Sequence, residues 1–342
     1  MVLRSVRERP TMTPRIGITG DVMLGRLVDD RQQRRSVDAV WGTVRERLRQ
    51  LDGLAINLEC VLSTRGQQWQ RTRRPFHFRA NPDWAVPALE DAGVDICALA
   101  NNHVLDFEEV ALRDTIEHLD EAGIAHAGAG ETLDDALEPA VRSIEDLELA
   151  VVSFTDNTPE YAADETSPGT AWIDIDVGNA ETKRRVRDAL ERARETDPDL
   201  LVASLHWGPN MVAEPPDTFR EFARWLISEG VDLLHGHSAH VFQGIEVHEG
   251  RPIIYDAGDF VDDYAVDAEL RNDRSFLFVL STTADGTLRE LRLYPVEIDG
   301  CAVHEASPDA AAWSRERMRE LSAPLGTEFD HAGDSLVLSL EE

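Results

Sequence analysis

The hydrophobic positions of this 342-residue chain follow two alternating patterns over its first two-thirds. Short apolar runs bounded by turn residues are typical of buried strands, and apolar residues three or four apart are typical of helices that pack on a sheet. The predicted strands are residues 15–19, 54–58, 95–100, 147–154, 200–205 and 231–234. The predicted helices are residues 37–51, 82–92, 108–122, 181–196 and 216–229.

The last third is richer in strands. From about residue 241 the pattern predicts strands at 241–247, 252–255, 275–280 and 288–298, then one helix near 310–321 and an irregular tail after residue 323. This order predicts an α/β fold, a layered sandwich that is βα-alternating at first and β-rich at the end. We expect three parts: a flexible N-terminus at residues 1–14, one large domain at 15–300, and a C-terminal helix and tail at 301–342.

The charge balance excludes some partners. The chain has 65 Asp and Glu against 34 Lys and Arg, a formal net charge of −31, and Lys183 is its one lysine. Such an acidic protein is not attracted to nucleic acid or to an anionic membrane surface. Excess carboxylate with almost no lysine suits a protein that stays soluble in concentrated salt, where charge repulsion is screened. We therefore expect a halophilic protein that binds no nucleic acid.

Three cysteines, Cys60, Cys97 and Cys301, are widely spaced and odd in number. Without a Cys-x-x-Cys pair, neither a disulfide framework nor a zinc knuckle is expected. The first 14 residues lack the apolar core of a signal peptide, and no apolar run approaches the roughly 18 residues that indicate a membrane span. We therefore expect a cytoplasmic protein with no membrane span.

Polar side chains that can bind a metal or move a proton follow five of the predicted strands. They are Asp21, Glu59, Asn102 with His103, His206, and His237 with His240. Taken singly, each has a plain structural role open to it, such as a turn residue, a helix cap or a hydrogen-bonded core histidine. Ligands of open α/β sheets bind beyond the carboxyl ends of the strands, so we expect these side chains to converge. Carboxylates, an amide and several histidines match a two-metal hydrolytic site for Mn, Zn, Fe or Co.

The same stretches carry a family resemblance. The motifs are Gly-Asp-Val-Met-Leu-Gly-Arg at 20–26, Asn-Leu-Glu at 57–59, Phe-His-Phe-Arg-Ala at 76–80, Ala-Asn-Asn-His-Val-Leu-Asp at 100–106, His-Trp-Gly at 206–208, Gly-His-Ser-Ala-His-Val-Phe-Gln at 236–243 and Tyr-Asp-Ala-Gly-Asp-Phe at 255–260. On these motifs the chain resembles the CapA family of poly-γ-glutamate capsule synthesis proteins over about residues 16–264. That family is related in fold to calcineurin-like metallophosphoesterases, so the resemblance implies a metallophosphoesterase-like sandwich for the domain at 15–300.

The resemblance also implies a role for each motif residue. Two divalent ions (Mn, Zn or Fe) would be held by six side chains: Asp21 and His240 on one ion, Glu59 between the two, and Asn102, His206 and His237 on the other. His103 would face the substrate as a general acid or an oxyanion donor, and Asp106 would orient His103.

The resemblance leaves three departures from the phosphoesterase pattern. Met23 stands where the pattern has a histidine, and Glu59 stands where it has an aspartate. Two residues separate His237 from His240 where the pattern has one, so the assignment of these two histidines between the ions is open.

Basic residues near these motifs are candidates for substrate binding. Arg71, Arg73, Arg74 and Arg79 form a cluster that could clamp a phosphate or the carboxylates of polyglutamate, although a solvated loop is the alternative. Arg26 lies shortly after Asp21 in the sequence, so we expect it to line the same crevice. Asp259 could orient a ligand histidine or contribute to substrate binding.

The expected function is therefore a metal-dependent hydrolase of the phosphoesterase type in poly-γ-glutamate metabolism, which uses hydroxide held on the metal. Its partner would be an anionic small molecule or polymer. Two alternatives stay open: a non-catalytic polymer-binding component of poly-γ-glutamate synthesis or export, and a degenerate metal-binding protein, for which Met23 is the reason.

Overall fold

A computed structural model describes residues 14–283 and 286–340, so the flexible N-terminus predicted for residues 1–14 lies, up to residue 13, outside the described residues. The strands are β1 (Arg15–Val22), β2 (Gly53–Leu58), β3 (Val61–Leu62), β4 (Arg79–Ala80), β5 (Ile96–Ala98), β6 (Ala125–Ala127), β7 (Ala129–Gly130), β8 (Ala140–Ile144), β9 (Leu147–Thr155), β10 (Gly169–Thr170), β11 (Leu200–His206), β12 (Leu233–His237), β13 (Ile245–His248), β14 (Arg251–Ile254), β15 (Asp259–Val261), β16 (Arg274–Thr282), β17 (Leu288–Asp299), β18 (Ala302–Glu305), β19 (Asp330–Ala332) and β20 (Ser335–Ser339). The helices are α1 (Arg26–Gln32), α2 (Arg45–Leu48), α3 (Pro82–Ala92), α4 (Glu108–Glu121), α5 (Leu133–Ala136), α6 (Ala180–Glu195), α7 (Asp217–Ser228) and α8 (Pro308–Ser322), with 3-10 segments at Val37–Val44, Pro159–Tyr161 and Ala323–Leu325.

Two large sheets form the centre of the molecule. The first has the order β19-β20-β17-β16-β1-β2-β5-β6, with β15 beside β1 and β18 beside β17. The second has the order β13-β14-β12-β11-β9-β8. Strands β1, β2, β5 and β6 are parallel in the first sheet, as are β9, β11, β12 and β14 in the second. Each sheet therefore has a parallel core whose strand ends can build a site.

The two sheets pack face to face, and helices cover their outer faces. Ile16 and Ile18 of β1 share one buried cluster with Leu149 and Val202 of the second sheet. Helices α3 and α4 cover the outer face of the first sheet, and α6 and α7 cover that of the second. The predicted layered α/β sandwich is confirmed. No helix in the described part of the chain is long and apolar enough to cross a membrane.

One predicted helix, at residues 37–51, is wrong. The backbone leaves the helical region at Gly42 (φ 39°, ψ −129°), so a 3-10 segment is followed by the short helix α2. A Cβ at Gly42 would lie 2.4 Å from the Val303 carbonyl oxygen of β18. Glycine is required here because β18 packs against the break and because φ is positive.

Two boundaries in the last third also differ from prediction. The tail after residue 323 is not irregular, because β20 pairs antiparallel with β17 and extends the first sheet. The strand predicted at 241–247 begins only at Ile245, and the residues before it form a loop after β12. That loop carries His240 into the site described next.

Candidate metal centre

Strand register places three polar side chains side by side at the end of β1. Asp21 is level with Asn57 of β2 on one side and with Asp259 of β15 on the other. The approach of β15 is close: the Asp21 N–H donates to the Gly258 carbonyl at 2.9 Å, and a Cβ at Gly20 would lie 1.8 Å from that oxygen. Glycine at position 20 therefore lets a second carboxylate reach Asp21.

The second sheet supplies two histidines from neighbouring strands. His206 of β11 is level with His237 of β12, and their Nδ1 atoms lie 3.0 Å apart. The same two atoms lie 3.7 Å and 3.3 Å from Asp21 Oδ1. All three side chains are buried.

A third histidine comes from the loop after β12. Its backbone has positive φ at Ser238 (111°) and His240 (60°), conformations that cost energy in L-residues and cluster at functional sites. The Ser238 N–H donates to Asp21 Oδ2 at 3.2 Å, which fixes the loop over that carboxylate. His240 Nδ1 lies 2.9 Å from Asp259 Oδ1 and 3.7 Å from Asp21 Oδ2. Asp21 therefore has His206 and His237 beside one oxygen and His240 beside the other.

Glu59 is fully buried, and neither of its carboxylate oxygens has a hydrogen-bond partner in the described part of the chain. Its Oε1 lies 3.8 Å from His206 Nε2 and 3.7 Å from His103 Nε2. Among the predicted site residues, three further buried atoms lack partners in the described part of the chain: Asn102 Oδ1, His206 Nε2 and Asp259 Oδ2. Buried polar atoms are nearly always hydrogen-bonded, because an unpaired one costs free energy. Their number here fits a site that is completed by metal.

Two groups of side chains could hold an ion. Asp21, His206 and His237 form one, and Asp21, Glu59, His240 and Asp259 form the other. Asp21 belongs to both, so it is the carboxylate that could be shared, whereas the resemblance implied Glu59 between the ions. The donors are imidazole nitrogens and carboxylate oxygens, which suit Mn, Zn or Fe.

A buried hydrogen-bond chain fixes the protonation of His237. Burial lowers the pKa of His235 to about 3, so this histidine is neutral. Its Nε2 lies 2.8 Å from the Thr19 carbonyl, which can only accept, so the proton is on Nε2 and Nδ1 accepts. Ser204 Oγ lies 3.2 Å from that Nδ1 and donates to it, and Oγ then accepts from His237 Nε2 at 2.9 Å. His237 is left with a bare Nδ1 that faces Asp21, as a metal ligand needs.

Negative charge accumulates in this site. Burial alone would raise the pKa of the Asp21 carboxyl, but when His206 and His237 are protonated on both ring nitrogens, their hydrogen bonds and charge outweigh burial and hold that pKa well below its usual value. Burial, then the charge of Asp21, raises the pKa of Glu59 well above its usual value. Burial, then the neighbouring charges of Asp262 and Asp21, does the same for the pKa of Asp259. Such a group of carboxylates is stabilised by a cation.

His103 and Asp106 form a pair beside Glu59. His103 Nδ1 lies 2.5 Å from Asp106 Oδ2, and the same oxygen accepts the Phe78 N–H at 2.7 Å. Tyr161 Oη donates to the other oxygen at 3.1 Å, so the carboxylate cannot rotate. The His103 ring stacks on Phe78 with centroids 3.7 Å apart. Burial lowers the pKa of His103, although Asp106 opposes this.

A cavity of about 420 Å³ opens beside the centre. Asn102, His103 and His240 line it next to the centre, and Arg74 and Tyr264 line it further out. Arg74 donates to the Asn102 carbonyl and to Thr158 Oγ1. The cavity therefore gives a ligand access to His103 and His240 at once.

The structure brings most of the predicted site residues together, but two of the predicted substrate-binding residues, Arg26 and Arg79, do not line the cavity. Arg26 pairs with Asp263 at 3.0 Å and lies near the rings of Phe76, Phe78 and Tyr264 at the rim of the cavity. Arg79 does not reach the cavity, because its guanidinium lies over Phe107 and donates to the Arg65 carbonyl.

Met23, the departure from the phosphoesterase pattern, is fully buried, and its sulfur accepts the Gly25 N–H at 3.1 Å. Asp259, by contrast, contacts His240 directly. The second group therefore has a carboxylate from β15 and no ligand from position 23.

Sequence reasoning missed several buried polar residues that hold the site. Asn57 Nδ2 donates to Asp21 Oδ1 at 2.6 Å, and Asn101 Nδ2 donates to Asn57 Oδ1 and to the Leu58 carbonyl. His235 and Ser204 form the chain described above. The available signal was a polar residue inside an otherwise apolar strand, which costs free energy unless it is paired.

Fold and site together define the class: a layered α/β protein with a buried carboxylate–imidazole centre that could bind metal. Residues 15–264 match the family described as Bacterial capsule synthesis protein PGA_cap, and the chain belongs to that family. The chain is 33% identical over 297 residues to a Mycobacterium tuberculosis H37Rv protein named "Probable polyglutamine synthesis accessory protein", and the match covers 84% of this chain and 76% of the relative.

Two further similarities are more distant. The "PGA biosynthesis protein CapA" of Bacillus subtilis strain 168 is 28% identical over 291 residues, covering 84% of this chain and 71% of that protein. Among solved structures, a protein of Thermus thermophilus aligns with a TM-score of 0.42 and 8% identity over 80% of this chain and 100% of that one.

Proposed function

We propose that this protein is a metal-dependent hydrolase of the phosphoesterase type that acts in poly-γ-glutamate capsule metabolism. Its family and the names of its relatives support the pathway. The observation that supports the hydrolase is the set of five buried, unpartnered atoms on Glu59, Asn102, His206 and Asp259; of these residues, Glu59, His206 and Asp259 belong to the groups around Asp21.

The ligand assignment follows from the two groups of side chains. Asp21 would be shared, His206 and His237 would hold one ion together with Asn102, as the resemblance implies, and Glu59, His240 and Asp259 would hold the other. Divalent ions bound there would lower the pKa of a water molecule and neutralise the charge of an anionic ester. The same chemistry serves phosphate esters and carboxylic amides.

We assign protonation of the leaving group to His103. Asp106 holds its Nδ1, so Nε2 faces Glu59 and the cavity. Protonated Nε2 gives its proton to the leaving oxygen or nitrogen, and Asp106 stabilises the imidazolium while the proton is held. Burial lowers the pKa of His103, so its imidazolium is a stronger acid than a free one, and Asp106 opposes this shift and so helps to keep the proton on the ring.

The experiment is hydrolysis of an aryl phosphate by the protein in high salt with Mn²⁺, compared with a γ-glutamyl oligomer as substrate. We expect His103→Ala and His206→Asn to lose at least about a hundredfold in kcat. His331→Asn, on the exposed strand β19, is the matched control and should keep full activity. Activity that survives both site substitutions in folded protein would refute the hydrolase.

The position of Met23 favours a second candidate, a polymer-binding component without catalysis. Its sulfur is engaged by the Gly25 N–H, so the second group lacks the histidine of the phosphoesterase pattern. This candidate predicts polymer binding with no turnover of either substrate in the same assay.

A further inference from the structure

One segment beside the cavity differs in charge from the rest of the chain. Residues 63–81 contain five arginines and no acidic residue, in a protein with 65 acidic residues and a net charge of −31. The arginines are Arg65, Arg71, Arg73, Arg74 and Arg79. Arg74, Pro75, Phe76 and Phe78 of this segment line the cavity beside the metal centre.

The arginines of this segment divide into two sets. Arg65 pairs with Asp114, and Arg71 pairs with Glu108, so their charges are already neutralised. Arg73, Arg74 and Arg79 make no ion pair within residues 14–283 and 286–340. Arg73 is exposed and forms no hydrogen bond in that part of the chain. Two arginines that are adjacent in sequence therefore have no carboxylate partner in the described part of the chain: Arg73 at the surface and Arg74 at the cavity.

The cavity lining, like residues 63–81, contains no acidic side chain among the described residues. The polar groups of this lining are Arg74, three asparagines, two histidines and Tyr264. The next cavity, which shares Tyr264 and Asn272 with it, is lined by Asp262, Asp263, Asp273 and Asp299. An anion is attracted by Arg74 of the first cavity and repelled by the carboxylates of the neighbouring one. The charges thus define one direction of entry.

We propose that residues 73–78 are the entry surface for a linear polyanion, with Arg73 and Arg74 binding successive anionic groups as the chain enters the cavity. The inference deepens the proposed function, on which it rests, by naming the substrate as a polymer and the side from which it arrives. Guanidinium binds carboxylate and phosphate alike, in bidentate geometry. Both a polycarboxylate and a polyphosphate therefore have the chemistry required.

The test is fluorescence anisotropy with two labelled probes, a γ-linked glutamate decamer and a polyphosphate of similar length, added to the full chain after its metal content is measured. We expect at least one probe to bind, and the Arg73→Gln/Arg74→Gln variant to bind it at least about tenfold more weakly. Arg73→Gln alone, at a side chain with no contact to lose, should weaken binding about threefold. The probe that binds shows whether the surface accepts a polycarboxylate or a polyphosphate.

The matched control is Arg315→Gln/Arg319→Gln, which removes the same two charges from α8. It should bind like the wild type. Equal binding by wild type and the Arg73/Arg74 variant, or binding of neither probe by the wild type, overturns the inference. Polymer binding that depends on Arg73 without hydrolysis of any substrate would leave the inference standing and refute the hydrolase.

Discussion

Substitution of Gly20 by alanine tests the placement of the two strands that carry the carboxylates. The added Cβ would lie 1.8 Å from the Gly258 carbonyl oxygen and 2.6 Å from its carbon, and both atoms are backbone. Ordinary contact begins at 3.4 Å, so the strands must separate by about 1.6 Å. The hydrogen bond from the Asp21 N–H to Gly258, now 2.9 Å, cannot survive that shift.

The magnitude follows from two costs. Forced overpacking costs about 1–3 kcal/mol, and a buried N–H without a partner costs about 1–3 kcal/mol more. We therefore expect Gly20→Ala to lower the free energy of unfolding by about 2–6 kcal/mol. Metal binding should weaken as well, because Asp259 and His240 move away from Asp21.

The assay is urea unfolding in high salt, with and without Mn²⁺, together with a metal titration. Gly93→Ala is the matched control, because the Gly93 φ is 75° and a Cβ there meets nothing within 4 Å. This substitution should lower the free energy of unfolding only through the left-handed backbone conformation, by about 1 kcal/mol. Its metal affinity should equal that of the wild type. A Gly20→Ala protein as stable as the wild type, with unchanged metal affinity, would refute the reasoning.

Three further predictions test the site and the core. Ser204→Ala breaks the chain that fixes His237, so Mn²⁺ affinity measured by titration should fall about 10–100-fold, and an unchanged affinity would contradict the role of Ser204. Burial raises the pKa of Asp256 to about 8, so the folded state holds a proton that the unfolded state has released. Relative to the Asp256→Asn variant, in which the histidine contributions are the same, stability of the metal-free protein should thus fall by about 1 kcal/mol per pH unit between about pH 7 and pH 8, and a rise in urea midpoint relative to that variant would contradict it. Trp41, 1% exposed, donates to the Ala88 carbonyl, so Trp41→Ala should cost about 3–5 kcal/mol in urea unfolding, and a loss below about 1 kcal/mol would contradict the packing.

Periodicity predicted the parallel core because those strands are buried on both faces and read as continuous apolar runs. It could not predict β15, which has only three residues. This strand pairs with β1 at Asp21 and Val22, after the part of β1 that pairs with β16. Periodicity also missed the break at Gly42, whose cause is the distant strand β18. Local patterns do not contain such long-range contacts.

The candidate site, like the fold, was predictable where its residues stand at the ends of long apolar strands and not where they depend on long-range contacts. Asp21, His206 and His237 all stand at or near the ends of predicted strands, and register aligns His206 with His237. The pairing of Asp259 with His240 depends on a turn and a strand that the pattern did not reveal. Arg79 lies next to the cavity segment in sequence, but its side chain leaves on the opposite side of a short strand and packs on Phe107. Successive strand residues point to opposite faces, which a motif alone does not resolve.

The most direct test of the metal centre is elemental analysis of protein purified without chelator. The account predicts two equivalents of divalent metal in the wild type. Asp21→Asn, which alters the carboxylate common to both groups, should lose both ions, whereas Asp114→Asn, far from the centre, should keep both. Wild-type protein without metal, or Asp21→Asn protein that retains two equivalents, would contradict the account.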